Sequence, residues 1–131
     1  MNKKKILLIE DEPCQIMMVK FRLEANDFDF ISAPDGERGL QKAFNEKPDL
    51  ILLDIVMPKM NGYEVCRRLR RNPATRDIPV ILFTASAGND IIQKCPACGA
   101  DDYIIKPFES ADLVAKIKAW LKEREKRGFK K

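Results

Sequence analysis

Four short stretches place reactive side chains directly after apolar runs: Glu10-Asp11, Asp54, Thr84 and Lys106. Three carboxylates brought together repel one another, which raises at least one pKa unless a cation is present. Hard oxygen ligands with spare positions for water suit Mg²⁺. A lysine adds a second positive charge, and a threonine hydroxyl adds a hydrogen-bond donor. A metal, an ammonium and a hydroxyl around one carboxylate can stabilise a phosphoryl group carried on that carboxylate. In that chemistry Asp54 is the nucleophile, and Glu10 and Asp11 hold the metal.

For these groups to meet, the elements before them must end on one rim. Lys5 to Ile9 is an apolar run that stops at Glu10-Asp11, and Leu50 to Leu53 is another that stops at Asp54. Such runs read as strands buried on both faces. Phe28 to Ser32 alternates and reads as a half-buried edge strand. Ile78 to Phe83 ends at Thr84-Ala85-Ser86, and Tyr103 to Ile105 ends at Lys106-Pro107.

Helical patterns lie between the strands. Pro13 suits a first turn, and Cys14, Met17, Met18 and Phe21 follow at one-face spacing. Asp35-Gly36 opens a second helix with Leu40, Ala43 and Phe44 expected inward. Asn61-Gly62 opens a third with Gly62, Val65, Cys66 and Leu69 inward. Gly88-Asn89-Asp90 leads into a fourth, with Ile91, Ile92, Cys95 and Cys98 inward and Gly99 as its stop. Glu109 to about Glu123 is the fifth, with Leu113, Val114, Ile117, Trp120 and Leu121 as its stripe. Five strands alternating with five helices specify an α/β domain with a parallel sheet covered on both faces. In such a sheet, ligands bind beyond the carboxyl ends of the strands. Four of the five strands deliver a polar group there.

The composition sets outer limits. The 131 residues suffice for one domain with one core. The chain is 45% hydrophobic and 34% charged, a balance that gives no sign of disorder. Its apolar runs are far shorter than the roughly 20 residues that span a bilayer. The run after Lys3-Lys4-Lys5 is too short for a signal peptide, so the sequence reads as cytoplasmic, without membrane insertion. Net charge is +4, much of it in the stretch from Lys122 to Lys131. With no aromatic residues interleaved as in single-strand binders, this reads as a solvated basic helix end and tail, not a nucleic-acid site. There is no histidine, which excludes Ser-His-Asp and Cys-His nucleophile systems and Cys₂His₂ zinc sites. It also means that any phosphohistidine must come from a partner.

The residues at these strand ends, in this order, resemble the receiver domain of bacterial two-component response regulators. The matching pieces are Ile6 to Pro13 with Glu10-Asp11, Pro48 to Gly62 with Asp54, Ile81 to Ala85 with Thr84, and Gly99 to Phe108 with Lys106-Pro107. The resemblance implies a flavodoxin-like (βα)5 domain with strand order 2-1-3-4-5 over residues 1–124, followed by a basic tail over 125–131. It implies that Asp54 is the phosphoacceptor, supplied by a histidine kinase or histidine phosphotransfer protein, and that a downstream protein reads the outcome. Asp11, Asp54 and the Val56 backbone carbonyl would bind Mg²⁺, with Glu10 acting through water. Lys106 would pair with the phosphoryl group and Thr84 would hydrogen-bond it. Tyr103 matches the aromatic switch position, and Lys106-Pro107 matches a peptide that is cis in the family.

Competing readings fit less well. A haloacid dehalogenase-type phosphatase wants a second aspartate two residues after the nucleophile, where this chain has Val56. A flavodoxin wants a phosphate loop after the first strand, where Glu10-Asp11-Glu12 would repel the ligand. A constitutive receiver-like interaction domain predicts a lost acid or lysine, and none is lost. The protein is therefore read as a phosphoacceptor and not as an enzyme acting on outside substrates. Residues after Glu123 are too few for an effector, so the chain is expected either to stand alone or to be a receiver cut from a longer protein.

Two features depart from a plain receiver. Cys95-Pro96-Ala97-Cys98 is a CxxC, a spacing used for zinc and redox work. A lone CxxC supplies only two of four zinc ligands, and all four cysteines fall on the inward stripes above, which favours buried structural thiols. Pro96 should kink the fourth helix or end it near Cys95, altering the partner-binding face.

Overall fold

The computed structural model describes residues 3–57, 59–85 and 89–128. Ser86 and Gly88, used above as strand-end and helix-start signals, and Pro58, inside the Pro48 to Gly62 stretch, lie outside them. The elements run in strict alternation: β1 (Lys5–Ile9), α1 (Pro13–Ala25), β2 (Asp29–Ala33), α2 (Gly36–Glu46), β3 (Leu50–Asp54), α3 (Gly62–Arg71), β4 (Val80–Thr84), α4 (Asn89–Ala97), β5 (Asp102–Ile105) and α5 (Ser110–Gly128). All pairings are parallel, in the order β2-β1-β3-β4-β5. The fold is the flavodoxin-like one.

Strand alternation divides the apolar residues between two cores. Leu7, Ile9, Ile51, Leu53, Val80 and Leu82 point to the face covered by α2, α3 and α4. Ile6, Leu8, Leu50, Leu52, Ile81 and Phe83 point to the face covered by α1 and α5. Every residue of β3 is buried, as its unbroken apolar run requires.

The helix starts follow their caps. Asp35 and Asn61 accept from Arg38 N and Glu64 N. Glu12 caps α1, its carboxylate accepting from the Cys14 and Gln15 amides, with Pro13 at the first helical position.

Several inward assignments are corrected. On α1, Met17, Met18 and Phe21 are exposed, Phe21 by 68%, and Cys14 is exposed as well. The buried line is Val19 and Leu23, with Ile16 packed beside it. Both lines have helical spacing, so periodicity alone could not choose between them. On α2 the buried line is Gly36, Gly39 and Ala43. A Cβ on Gly39 would stand 2.5 Å from Ile9 Cδ1, so small residues let this helix close on the sheet. Phe44, one position round from Ala43, is left 51% exposed. On α4, Ile91, Cys95 and Cys98 are buried and Ile92 is exposed.

Helix α4 ends near Cys95 as expected, two residues on at Ala97, and Gly99 closes it at φ +92°. The Ala100 amide bonds Cys95 O at 3.1 Å and the Gly99 amide bonds Pro96 O at 3.1 Å, the paired bonds of a Schellman cap. Pro96 thus sits in the last turn. Helix α5 runs on to Gly128, beyond the expected end near Glu123. Arg124 Nη1 donates to Asp49 O at 3.0 Å, and Glu125 pairs with Lys4 at 3.4 Å, which holds this stretch against the base of the sheet.

Candidate functional site

Among the described residues only three polar or charged side chains are buried: Glu10, Asp54 and Thr75. Two of the three stand at the carboxyl ends of neighbouring central strands, where burying a charge has no packing justification. Glu10 follows β1, and its amide bonds Ala33 O at 3.0 Å. Its carboxylate accepts from the Glu12 amide at 3.2 Å. Asp54 is the last residue of β3, followed by a turn in which the Ile55 amide bonds Phe83 O and the Gly62 amide bonds Ile55 O at 2.9 Å. Asp11 is exposed beside them. One carboxylate oxygen from each of Glu10, Asp11 and Asp54 lies within 4.8 Å of the others.

Lys106 arrives from the far side. Its amide bonds Thr84 O at 2.7 Å, tying the end of β5 to the end of β4. Its ammonium lies 3.4 Å from Asp54 Oδ1 and 3.4 Å from Glu10 Oε1. The same ammonium stands 5.8 Å from the Phe83 ring centroid, and Phe83 packs on Phe108 at 5.2 Å. The Lys106-Pro107 peptide is cis. Thr84 ends β4 beside the β3 terminus and is half-buried. Tyr103 is half-buried too and packs against the core on the α2–α4 face. Val56 is 77% exposed on the loop after Asp54.

The electrostatics are unbalanced. Burial pushes the Glu10 carboxyl up to about 7, and the Asp54 charge and a hydrogen bond with Asp54 add to that, while Lys106 opposes it. Two buried carboxylates share the Lys106 ammonium, Asp11 stands beside them, and the Glu10 carboxyl is the one whose charged form is disfavoured. The cluster therefore fits a small divalent cation with hard oxygen ligands.

Sequence reading missed some of the supporting residues. Gly62 does more than face inward: a Cβ there would come 2.5 Å from Asp54 O and 2.8 Å from Ile55 Cα, so only glycine lets α3 start against the Asp54 turn. The Phe83 and Phe108 rings beside Lys106 were legible only as apolar positions. Asp102 accepts from Lys116 Nζ and Trp120 Nε1, both at 3.0 Å, joining β5 to α5. Burial alone would raise the Asp102 carboxyl, but the indole, the ammonium and the Tyr103 amide outweigh it and hold it below its usual value.

Residues 6–118 match the family model described as "Response regulator receiver domain". The chain is 40% identical over 122 residues to the alkaline phosphatase synthesis transcriptional regulatory protein PhoP of Bacillus subtilis (strain 168), covering 93% of this chain and 50% of that protein. It thus spans about half the length of this relative. Among solved structures, a response regulator receiver domain protein (CheY-like) from Methanospirillum hungatei JF-1 superposes with a TM-score of 0.89 at 32% identity, covering 96% of this chain and 99% of that one. The receiver domain of a sensor histidine kinase from Pseudomonas aeruginosa PAO1, solved with a magnesium ion coordinated in its active site cleft, superposes with a TM-score of 0.85 at 29% identity, covering 92% and 98%.

Proposed function

The chain belongs to the response regulator receiver family, and on that premise we propose that Asp54 accepts a phosphoryl group and that the resulting charge resets a partner-binding face. The observation that carries this is the meeting of Lys106 Nζ with Asp54 Oδ1 at 3.4 Å inside a group of three carboxylates. A carboxylate oxygen of Asp54 attacks the phosphorus of a phosphohistidine on a histidine kinase or phosphotransfer protein. The P–N bond breaks and the imidazole leaves with the electron pair. Asp11 and Asp54, with the Val56 carbonyl, would hold Mg²⁺, and Glu10 would contact it through water. Bound there, Mg²⁺ would neutralise charge on the transferring phosphoryl oxygens.

Lys106 and Thr84 act on the product. Phosphorylation turns one Asp54 oxygen into the bridging oxygen of an acyl phosphate and adds three terminal phosphoryl oxygens as acceptors. Lys106 keeps its place and pairs with one of them, and the Thr84 hydroxyl donates to another. Charge-assisted hydrogen bonds are worth roughly 1.5–3 kcal/mol each, so the two together supply on the order of 3–6 kcal/mol. Moving an equilibrium from one extreme to the other needs about 5.5 kcal/mol, so the phosphoryl group can drive the switch with little surplus. Tyr103 follows Thr84 and lines a cleft with Ile105, Phe108 and Lys116. Its movement would reshape that cleft for a downstream protein. Transcriptional regulation belongs to the name of a relative twice this length, and this chain's own role is read as protein contact.

The test is incubation with acetyl phosphate, with and without Mg²⁺, followed by intact mass. One phosphoryl adduct is expected, dependent on Mg²⁺ and absent from Asp54→Ala. No adduct, or an equal adduct on the variant, overturns the assignment.

A further inference from the structure

The sheet has an open edge at β2, which pairs only with β1. A cleft of about 550 Å³ follows about two turns of α1 along this edge. Its apolar wall is built from Met17, 71% exposed, and from Ile16, Phe30 and Ile31, which are half-buried. Ile16 and Phe30 pack on the core beneath α1 and α5, and Ile31 packs on the core beneath α2, α3 and α4. The cleft thus wraps the rim of the sheet. Its charged lining is Lys20 from α1 and Lys42 from α2, with no acid among the described residues there. Among the described residues neither ammonium has a carboxylate within ion-pair reach.

We propose that this cleft is a docking groove for an acidic amphipathic helix of a partner protein, which sets apolar side chains against Met17 and Phe30 and carboxylates against Lys20 and Lys42.

The wall and the rim of the cleft call for different parts of such a helix. Apolar side chains from the partner take Met17, Phe30 and Ile31 out of water, which is the favourable step. The two ammoniums set the sign of the partner: they repel a basic segment, and a carboxylate completes a pair at each. One helix supplies both, because apolar residues at i, i+3 or i+4 and i+7 form a stripe with charged residues on its flanks. A partner strand fits less well. On the open edge of β2 the Ser32 carbonyl already accepts from Lys42 Nζ at 2.7 Å, so a new backbone ladder would have to displace that bond. The same bond fixes the Lys42 ammonium at the rim. The groove is separate from the cleft beside Tyr103 between β5 and α5, and the exposed Met18 and Phe21 do not line it. Docking here goes beyond the phosphoryl switch and does not require it.

The test is an NMR titration of the whole isotope-labelled chain with two synthetic amphipathic helices of about four turns. Both carry the same leucine stripe, flanked by glutamates in one and by lysines in the other. Expected is saturable binding of the glutamate helix, with amide shifts centred on Met17, Lys20, Phe30 and Ser32, and weaker binding as salt is added. Lys20→Glu together with Lys42→Glu should weaken that binding by about tenfold or more and should bring on binding of the lysine helix. Met17→Ser should weaken the glutamate helix without changing the preference for its charge. No saturable binding, equal affinity for the two helices, or shifts centred on Met18 and Phe21 or on Tyr103 and Ile105 overturns the proposal. The two helices compared on the wild-type chain decide the matter even if a variant does not fold. The Lys20→Glu, Lys42→Glu protein should still form the acetyl phosphate adduct at Asp54, so loss of the adduct bears on the phosphoacceptor and loss of docking on the groove.

Discussion

Lys106 Nζ lies 3.4 Å from Asp54 Oδ1 although β4 separates their strands in the sheet. The contact is made over the end of β4, past the Phe83 ring. Removing the cation leaves two buried carboxylates facing each other. Lys106→Ala is therefore expected to cost about 1–2 kcal/mol in metal-free protein near neutral pH, and less at about pH 5, where Glu10 is protonated. Urea unfolding of both proteins at the two pH values reads this directly. An equal cost at both would sink it.

The Glu10 carboxyl sits at about 7 in the folded protein against an ordinary 4.5. The folded state holds that proton more tightly than the unfolded state does. Its contribution to stability is thus fully present below about 4.5 and is lost as pH rises through about 7, by an amount on the order of 3 kcal/mol. Mg²⁺ should stabilise the protein more as pH rises through the same window, because proton and cation compete for the acids. Asp54→Asn removes a neighbouring charge and should flatten the pH slope. Chemical denaturation across pH, with and without Mg²⁺, gives all three results. A metal-free stability that rises with pH in this window would contradict the account.

Gly62 touches the turn that aims Asp54, with room for no Cβ. Gly62→Ala must push that turn or the start of α3. A loss of about 1–3 kcal/mol is expected, together with slower uptake of the acetyl phosphate adduct at Asp54. A variant with wild-type stability and wild-type uptake would show that the close approach has no consequence.

The two apolar lines of α1 make opposite predictions. Val19 is fully buried, while Phe21 is 68% exposed. Val19→Ala should cost about 1–3 kcal/mol, and Phe21→Ala should stay within about 0.5 kcal/mol despite removing the larger side chain. Thermal or urea unfolding of the pair would separate the lines, and a reversed order would restore the stripe expected from sequence.

Strand content and the polar groups at the strand ends were legible because each is written locally, whereas the strand order came only through the resemblance to a known family. An unbroken apolar run such as Leu50 to Leu53 has one stable use, a strand covered on both faces, and the residue after it must emerge at the sheet's rim. Caps at Asp35 and Asn61 were equally local. Helix faces were less so: Cys14-Met17-Phe21 and Ile16-Val19-Leu23 share one spacing, and only the position of α1 over Ile6 and Leu8 selects the second.

The sequence by itself determined which acids, hydroxyl and lysine would gather, because parallel βα units send every strand's end to one side. Only the tertiary structure decided how they balance. Glu10's burial, its shared lysine and its raised carboxyl depend on distances between β1, β3 and β5, which no linear spacing contains. Arg70 shows the same division: from α3 it donates Nε to Gly99 O and Nη2 to Asp101 Oδ2, each at 2.7 Å, across sequence separations of 29 and 31 residues. Helix packing across a sheet face sets side-chain neighbours through space, and proximity along the chain does not report them.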